Sequence, residues 1–257
     1  MGIQDRDYFH GARGGPGMGR GGRPGAIRAW SVTTWLIALN VAVFVLDALL
    51  RVRVDGGTIG LLWIWGYFSF DAAVRSMQAW RFVTFQFLHG GLGHIFFNML
   101  GLYFFGPLVE SWLGGRRYLA FYLLCGVAGP LAYLLIMAAG VLPMTAHTPM
   151  VGASAGLFGV LIAAAFIAPD TRVQLLFPPI EMPLRTMALA YVAIAAFVVL
   201  TRGNNAGGEA AHLGGAAAGL LLIRNVRLLN FADLLAGRRR RTGRRADDPP
   251  MKYHGWR

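Results

Sequence analysis

The chain contains the stretch Val151-Gly152-Ala153-Ser154-Ala155-Gly156-Leu157-Phe158-Gly159, which places a single hydroxyl among small side chains at the start of an apolar run. Gly152 and Gly156 are four residues apart, and Gly159 follows on nearly the same helical face. Small residues at this spacing allow a second helix to pack very closely. The stretch alone leaves two interpretations of Ser154 open: a small residue in a packed membrane helix, or a reactive hydroxyl.

The composition around this stretch indicates a polytopic membrane protein. Of the 257 residues, 56% are hydrophobic and 14% are charged, which is unlike an average soluble domain. Six apolar segments can be drawn, at 32–50, 83–109, 118–141, 152–168, 184–200 and 210–223. The fourth would be about 25 Å long as a helix, which is less than the roughly 30 Å of a bilayer core. We therefore expect an all-α bundle of six transmembrane helices with a short fourth helix, whose outer end carries a recessed Ser154.

The positive charge is concentrated in the two tails. Residues 1–30 carry five Arg and two Asp, and residues 224–257 carry ten Lys or Arg and three Asp, so the tails contribute +10 of the net charge of +12. The positive-inside rule then predicts that both termini are cytoplasmic, which six crossings allow. We expect a multi-pass protein of a bacterial inner membrane.

The distribution of charge and apolar segments divides the chain into three parts. They are a disordered Gly/Arg-rich tail at 1–30, a six-helix domain at 31–227 and a basic tail at 228–257. Basic segments beside a membrane attract anionic lipid, so lipid is the expected partner of the tails and a nucleic acid is not. The lone cysteine, Cys125, excludes an intramolecular disulfide framework.

The segment between the first two apolar runs, 51–79, is long and aromatic. Aromatic side chains are enriched at the membrane surface, so we expect this segment to lie in or on the outer leaflet. Trp80-Arg81 follows it, either as an interfacial anchor or as a pair that fixes the loop.

The second apolar segment contains the polar residues His89, His94 and Asn98, followed by Glu110. Polar side chains inside a membrane are costly, so a functional site is the first hypothesis. His94 and Asn98 are four residues apart and share a helix face, whereas His89 would diverge from His94 on a regular helix. We interpret His94 and Asn98 as two hydrogen-bond donors aimed at one place, and His89 as a residue that ties down the preceding loop.

Two other interpretations of these polar residues are open. They could simply hold helices together, or His89, His94 and His212 could form a metal or transport site. The spacing argues against a metal site, because helical zinc pairs favour i, i+4. No metal and no cofactor are expected.

The sixth apolar segment begins near His212, and Gly215 and Gly219 repeat the small-residue spacing of the fourth. Two such helices can approach closely. Each carries one polar residue at its outer end, Ser154 on the fourth and His212 on the sixth. Serine needs a neighbouring base to become a nucleophile, and imidazole titrates in the right range to serve as one.

In their order along the chain, these motifs resemble the rhomboid family of intramembrane serine proteases. The resemblance covers about residues 80–219 and rests on Trp80-Arg81, His89-x4-His94-x3-Asn98, Glu110 with Gly114, Gly152-Ala153-Ser154, and His212-x2-Gly215-x3-Gly219. Each motif is weak alone, and the ordered set is specific.

The resemblance implies a serine endopeptidase with Ser154 as nucleophile and His212 as general base, with no acid required as a third member. It implies an oxyanion hole formed by the side chains of His94 and Asn98 and the backbone N–H of Ser154. It also implies that Phe158 lies against the catalytic histidine. The expected substrates are transmembrane segments of other proteins, cut near the outer membrane face.

One residue departs from the family pattern. The usual motif is Gly-x-Ser-Gly, and here Ala155 follows Ser154 while the glycine is displaced to Gly156. We expect activity to survive the added methyl group. The alternative function is a non-catalytic rhomboid-like protein that binds transmembrane helices without cutting them.

Overall fold

The computed structural model of the chain describes residues 30–54, 56–143, 147–175 and 179–235. The helices are α1 (Val32–Leu49), α2 (Leu61–Gly66), α3 (Arg81–Thr84), α4 (Leu92–Leu113), α5 (Gly115–Ala138), α6 (Ser154–Ile167), α7 (Leu184–Leu200), α8 (Ala206–Arg224) and α9 (Phe231–Leu235). The strands are β1 (Arg51–Val54), β2 (Gly57–Gly60), β3 (Arg172–Gln174) and β4 (Glu181–Pro183). Most of the two predicted tails lies outside the described residues.

The strands form two separate antiparallel hairpins. An isolated antiparallel bridge joins Phe68 to Met150. In the first hairpin Arg51 pairs with Gly60, and in the second Arg172 pairs with Pro183. Each hairpin fills a connection between long apolar helices, β1–β2 after α1 and β3–β4 between α6 and α7.

Apolar helices long enough to cross a membrane make this an integral membrane protein. In the described residues, four helices have the necessary length and hydropathy: α1, α4, α5 and α8. Two further apolar helices, α6 and α7, are shorter. The 14 residues of α6 extend about 21 Å at 1.5 Å per residue, so the fourth apolar segment is indeed a short helix.

Helix α6 occupies the middle of the bundle. It packs against α4, α5, α7 and α8, and Val160, Ala163 and Ala164 are completely buried. A helix that is apolar on all sides requires such a central position. Ser154, as the first residue of α6, therefore stands at the end of the most enclosed helix of the fold.

On α6, the residues that meet α8 are Ala155 and Gly159 rather than the predicted pair Gly152 and Gly156. Gly215 lies against the backbone of Ala155, and a methyl group added at Gly219 would come 2.6 Å from the Cα of Gly159. Gly156 instead faces Tyr122 of α5. Ala155 and Gly159 are one helical turn apart and form the stripe that meets α8, whereas Gly152 precedes the helix.

Replacing Gly215 by Ala is expected to destabilise the protein by about 1–3 kcal/mol, the usual cost of overpacking. The added methyl group would collide with the carbonyl oxygen of Ala155, which is backbone and cannot rotate away. Thermal unfolding in detergent measures the change. Gly93→Ala is the matched control, since a methyl group there meets no atom within 4 Å. Equal unfolding temperatures for the two variants would contradict the packing described.

The second long helix begins later than hydropathy predicts. The apolar run from residue 83 is divided into α3, a 3₁₀ turn at Phe85–Phe87 and an extended stretch, and α4 starts only at Leu92. Gly90-Gly91 separates the two parts, as expected for residues that are costly inside a helix. His89 therefore lies before the helix that carries His94 and Asn98.

Arg81 fixes the loop that precedes it. Its guanidinium donates hydrogen bonds to the carbonyl oxygens of Tyr67 at 2.7 Å and Ile64 at 2.8 Å, and to the side chain of Gln78 at 2.6 Å. The side chain is buried, and this set of contacts supports the loop-fixing interpretation over a surface anchor.

Glu110 of α4 caps the start of α1. Its carboxylate accepts from the backbone N–H of Val32 at 2.7 Å and of Thr33 at 2.8 Å, and from the Thr33 hydroxyl at 2.7 Å. The first N–H groups of a helix have no acceptor within the helix, and a carboxylate also complements the positive end of its dipole. Glu110 is therefore a structural residue that joins α1 to α4.

Candidate active site

The structure brings Ser154 and His212 together at the ends of α6 and α8. The Oγ of Ser154 lies 2.8 Å from Nε2 of His212, although the residues are 58 positions apart in the chain. The glycine-mediated contact of the two helices accounts for this proximity, because Gly215, about one turn after His212, packs against the backbone of Ala155, the residue that follows Ser154. A hydroxyl within hydrogen-bond reach of an imidazole is the arrangement in which histidine can act as a general base.

Gly152 shapes the turn that leads into α6. Its φ is +130°, a conformation that side chains disfavour, and an added methyl group would come 2.7 Å from Nε2 of His94 and 3.5 Å from Oγ of Ser154. The backbone N–H of Gly152 donates to the carbonyl oxygen of Phe85 at 2.9 Å. Because residue 152 is glycine, the backbone can lie close to both the His94 ring and the Ser154 hydroxyl. The hydrogen bond to Phe85 fixes this turn.

His94 has one ring nitrogen facing this turn. Its Nδ1 accepts from the backbone N–H of Gly90 at 3.3 Å. In a neutral imidazole one nitrogen accepts and the other donates, so Nε2 carries the proton and faces the Gly152 turn beside Ser154.

The side-chain amide of Asn98 is a second hydrogen-bond donor on the cavity that His94 and Ser154 also line. Its side chain is 5% exposed, and its Nδ2 is buried without a hydrogen-bond partner in the structure. Asn98, His94, Ser154 and His212 all line one cavity of about 1690 Å³. A buried amide without a partner costs free energy, which is typical of a group kept free for a ligand or a reacting atom.

His89 contacts His94 although it is outside the helix. The two rings meet edge to face with their centroids 5.1 Å apart, so the prediction that they diverge is wrong. The reason is the break at Gly90-Gly91, which removes His89 from the regular helix. Burial, with the charge of His94 acting in the same direction, lowers the pKa of His89 to about 4. His89 is therefore uncharged at neutral pH, and its ring packs against that of His94.

Phe158 stacks on the imidazole ring of His212. Its ring lies parallel to that of His212, with a centroid distance of 4.3 Å and an interplanar angle of 10°. Tyr191 of α7 contacts Phe158 edge to face at 6.2 Å. The stack holds the plane of the imidazole, and the electron-rich face of an aromatic ring also favours a positive charge on it.

Ala155, the departure from the family motif, is accommodated by a neighbouring glycine. A methyl group added at Gly129 of α5 would come 2.7 Å from the Cβ of Ala155. Because residue 129 is glycine, α5 leaves the space that the methyl group of Ala155 occupies. The hydrogen bond between Ser154 and His212 forms with alanine at this position.

Glu209 is the residue that sequence reasoning missed. Its Oε2 lies 2.8 Å from Nδ1 of His212, on the side of the ring opposite to Ser154. The signal was present in the sequence, since Glu209 and His212 are three residues apart and residues at that spacing are neighbours on a helix.

Among the described residues, no group of three His, Cys, Asp or Glu side chains is placed to hold a metal ion.

Comparison with known proteins supports one family. The family model for the rhomboid domain matches residues 76–227, which is more than half of the chain. The chain is 27% identical over 204 residues to the putative rhomboid protease YdcA of Bacillus subtilis, covering 76% of this chain and 88% of that protein. It is 30% identical over 166 residues to the rhomboid protease GluP of the same organism, covering 63% of this chain and 28% of that protein.

Plant proteins match as well. RHOMBOID-like protein 12, mitochondrial, of Arabidopsis thaliana is 31% identical over 168 residues, which are 61% of this chain and 49% of that protein. The chain thus spans about half of this relative and nearly all of YdcA. The Inactive RHOMBOID-like protein 8 of the same plant is 30% identical over 96 residues, or 37% of this chain and 25% of that protein, so the similar proteins include one named as inactive.

Proposed function

The chain belongs to the rhomboid family, and from this membership we propose that it is an intramembrane serine endopeptidase that cleaves transmembrane segments of membrane proteins. The observation that carries the proposal is the 2.8 Å contact between Oγ of Ser154 and Nε2 of His212. Ser154 is the nucleophile and His212 is the general base. The neighbouring cavity, with its unpartnered Asn98 amide, supports a reaction that develops negative charge.

In the first half of the reaction, the hydroxyl proton of Ser154 moves to Nε2 of His212 as Oγ bonds to the substrate carbonyl carbon. The π electrons of the C=O bond move to the carbonyl oxygen. When this oxyanion collapses, the C–N bond breaks, and the departing amine takes the proton from Nε2. The amino-terminal part of the substrate remains as an ester of Ser154.

In the second half, His212 takes a proton from a water molecule, which attacks the ester carbonyl. Collapse of the second oxyanion breaks the bond to Oγ, and the proton returns from Nε2 to Ser154. The free carboxylic acid leaves. Water therefore has to reach the end of α6, and a short helix whose first residue lies below the outer surface permits that access.

Three donors stabilise the oxyanion: Nε2 of His94, Nδ2 of Asn98 and the backbone N–H of Ser154. As the first residue of α6, Ser154 has no acceptor for its N–H within the helix. Donors fixed before the reaction act strongly in a site that excludes most water.

Asn98→Ala is expected to reduce kcat by about 10²-fold, in line with the removal of one oxyanion donor. KM should change little, because the donor acts mainly on the charged intermediate. Steady-state cleavage of a transmembrane reporter measures both constants, and Asn225→Ala, which removes an exposed amide at the far end of α8, is the control. A loss confined to KM would contradict the assignment.

In the bilayer, the chain crosses at all six apolar helices, and α6 and α7 are shorter than the hydrocarbon core is thick. The positive-inside rule supports cytoplasmic termini, since Arg116 and Arg117 lie between α4 and α5 whereas 139–153 carries no charge apart from a protonatable His147. We place the protein in a bacterial inner membrane, with anionic lipid at its basic tails.

Substrate helices enter past α7 into the cavity, which α7 lines with Met187 and Tyr191.

The proposed function is tested by reconstituting the purified chain in liposomes with a fluorogenic transmembrane substrate. The expected result is cleavage within the membrane segment, near its outer end, at a site where small residues let the helix unwind. Substrate that binds to the protein and remains intact would instead favour the alternative, a non-catalytic rhomboid-like protein that binds transmembrane helices.

A further inference from the structure

Resting on the proposed function, we propose that Glu209 is a positioning residue for the general base, so that the reaction is served by a Ser154–His212–Glu209 triad. The imidazole of His212 is held at both nitrogens. Nε2 lies 2.8 Å from Oγ of Ser154, and Nδ1 lies 2.8 Å from Oε2 of Glu209. The ring thus bridges a hydroxyl and a carboxylate.

The carboxylate decides which tautomer His212 adopts. An ionised carboxylate can only accept hydrogen bonds, so Nδ1 must carry a proton in order to bond to Glu209. Neutral imidazole then has its lone pair on Nε2, which faces the hydroxyl of Ser154. This is the tautomer that a general base needs, and without Glu209 nothing in this contact would favour it over the other.

The carboxylate also offsets the charge that the reaction creates on His212. The side chains of His212 and Glu209 are only 15% and 21% exposed, so water screens the imidazolium poorly. Glu209 lies in the first turn of α8, where the helix dipole favours an anion. His94 on α4 also faces His212, and a positive charge on His94 would act against the imidazolium.

Glu209 retains its own charge throughout. The proton from Ser154 stops at Nε2 of His212, and the proton on Nδ1 stays there while its hydrogen bond to the carboxylate strengthens. Phe158 and Glu209 then have separate tasks: the phenyl ring fixes the plane of the imidazole, and the carboxylate fixes its rotation and its tautomer.

The test replaces Glu209 by Gln, which keeps the size of the side chain and removes its charge. We expect kcat for a transmembrane reporter to fall by roughly 10²-fold with KM nearly unchanged, a loss in the range usual for general-base catalysis. The rate constant for labelling of Ser154 by a fluorophosphonate should fall by a similar factor. Glu181→Gln, which alters an exposed glutamate in β4, is the matched control.

The final extent of labelling separates positioning from folding. In Glu209→Gln every chain should eventually be labelled, more slowly than in the unaltered protein, because the site is intact and only its activation is weaker. Glu209→Ala, which offers His212 no competing amide, serves as a second variant with the same expectation.

Three results would overturn the inference. Rates within twofold of the unaltered protein would show that the carboxylate is dispensable. A reduced extent of labelling at an unchanged rate would assign Glu209 a purely structural role. Failure of the unaltered protein to be labelled at Ser154 would overturn the proposed function itself and this inference with it, whereas either of the first two results leaves the proposed function intact.

Discussion

Ser154→Ala is expected to abolish cleavage of a transmembrane substrate, with a loss of at least about 10⁴-fold, because removal of a serine nucleophile leaves only binding and oxyanion stabilisation. The variant loses one hydroxyl and its hydrogen bond to His212. Since a hydrogen bond contributes only about 1 kcal/mol to stability, the fold should persist. Cleavage in liposomes and thermal unfolding in detergent measure the two effects separately.

The matched control for this experiment is Ser111→Ala. Ser111 is exposed on α4 and donates to the carbonyl oxygen of Leu108 at 2.8 Å, so its replacement removes a comparable hydroxyl away from the cavity. We expect unchanged cleavage. Substantial residual activity in Ser154→Ala would assign the nucleophile to another residue and contradict the proposed mechanism.

The second large effect is expected for His212→Ala, which removes the general base. Cleavage should fall by about as much as in Ser154→Ala, because a serine hydroxyl is a weak nucleophile without a proton acceptor. The double variant Ser154→Ala/His212→Ala should be no worse than either single variant, since residues that act in one step are not additive.

A control and a contrary outcome define this second test. His147→Ala removes an imidazole whose side chain is 90% exposed and should leave cleavage unchanged. If the double variant were far less active than each single one, the two residues would act in separate steps. That result would contradict a shared proton transfer across the 2.8 Å contact.

Much of the bundle is predictable from apolar runs. The run at 184–200 became α7 with the same two end residues, and the run at 32–50 became α1 with one residue less. Long apolar segments bounded by charge or proline give helices with clear ends. The ordered motifs also indicate the rhomboid family, which the comparisons confirm.

The features that escaped prediction depend on local geometry. Hydropathy cannot tell α3 and the 3₁₀ turn from α4, because all three are apolar, so the break at Gly90-Gly91 and the contact of His89 with His94 were missed. The stripe on α6 that meets α8 depends on how the helix is rotated about its axis, which glycine spacing does not determine. Ala155 and Gly159 face α8, whereas Gly156 faces Tyr122.

The carboxylates show a further limit. Glu110 caps α1 across 78 residues of sequence, a long-range contact that no local pattern reveals. Glu209 is different, because its spacing from His212 was visible and only the rotamers of the two side chains were not. On a helix, a carboxylate three residues before a catalytic histidine is close enough to bond to its Nδ1, as Glu209 does here.

The most direct test of the central claim is to map the site of covalent labelling by an alkyl fluorophosphonate. The chain has five serines, and an unactivated serine does not react with this probe. Peptide mass spectrometry of the labelled protein should find one adduct, on Ser154, and His212→Ala should prevent its formation. An adduct on one of the other four serines, or none on a folded protein, would contradict the assignment of Ser154 as a nucleophile activated by His212.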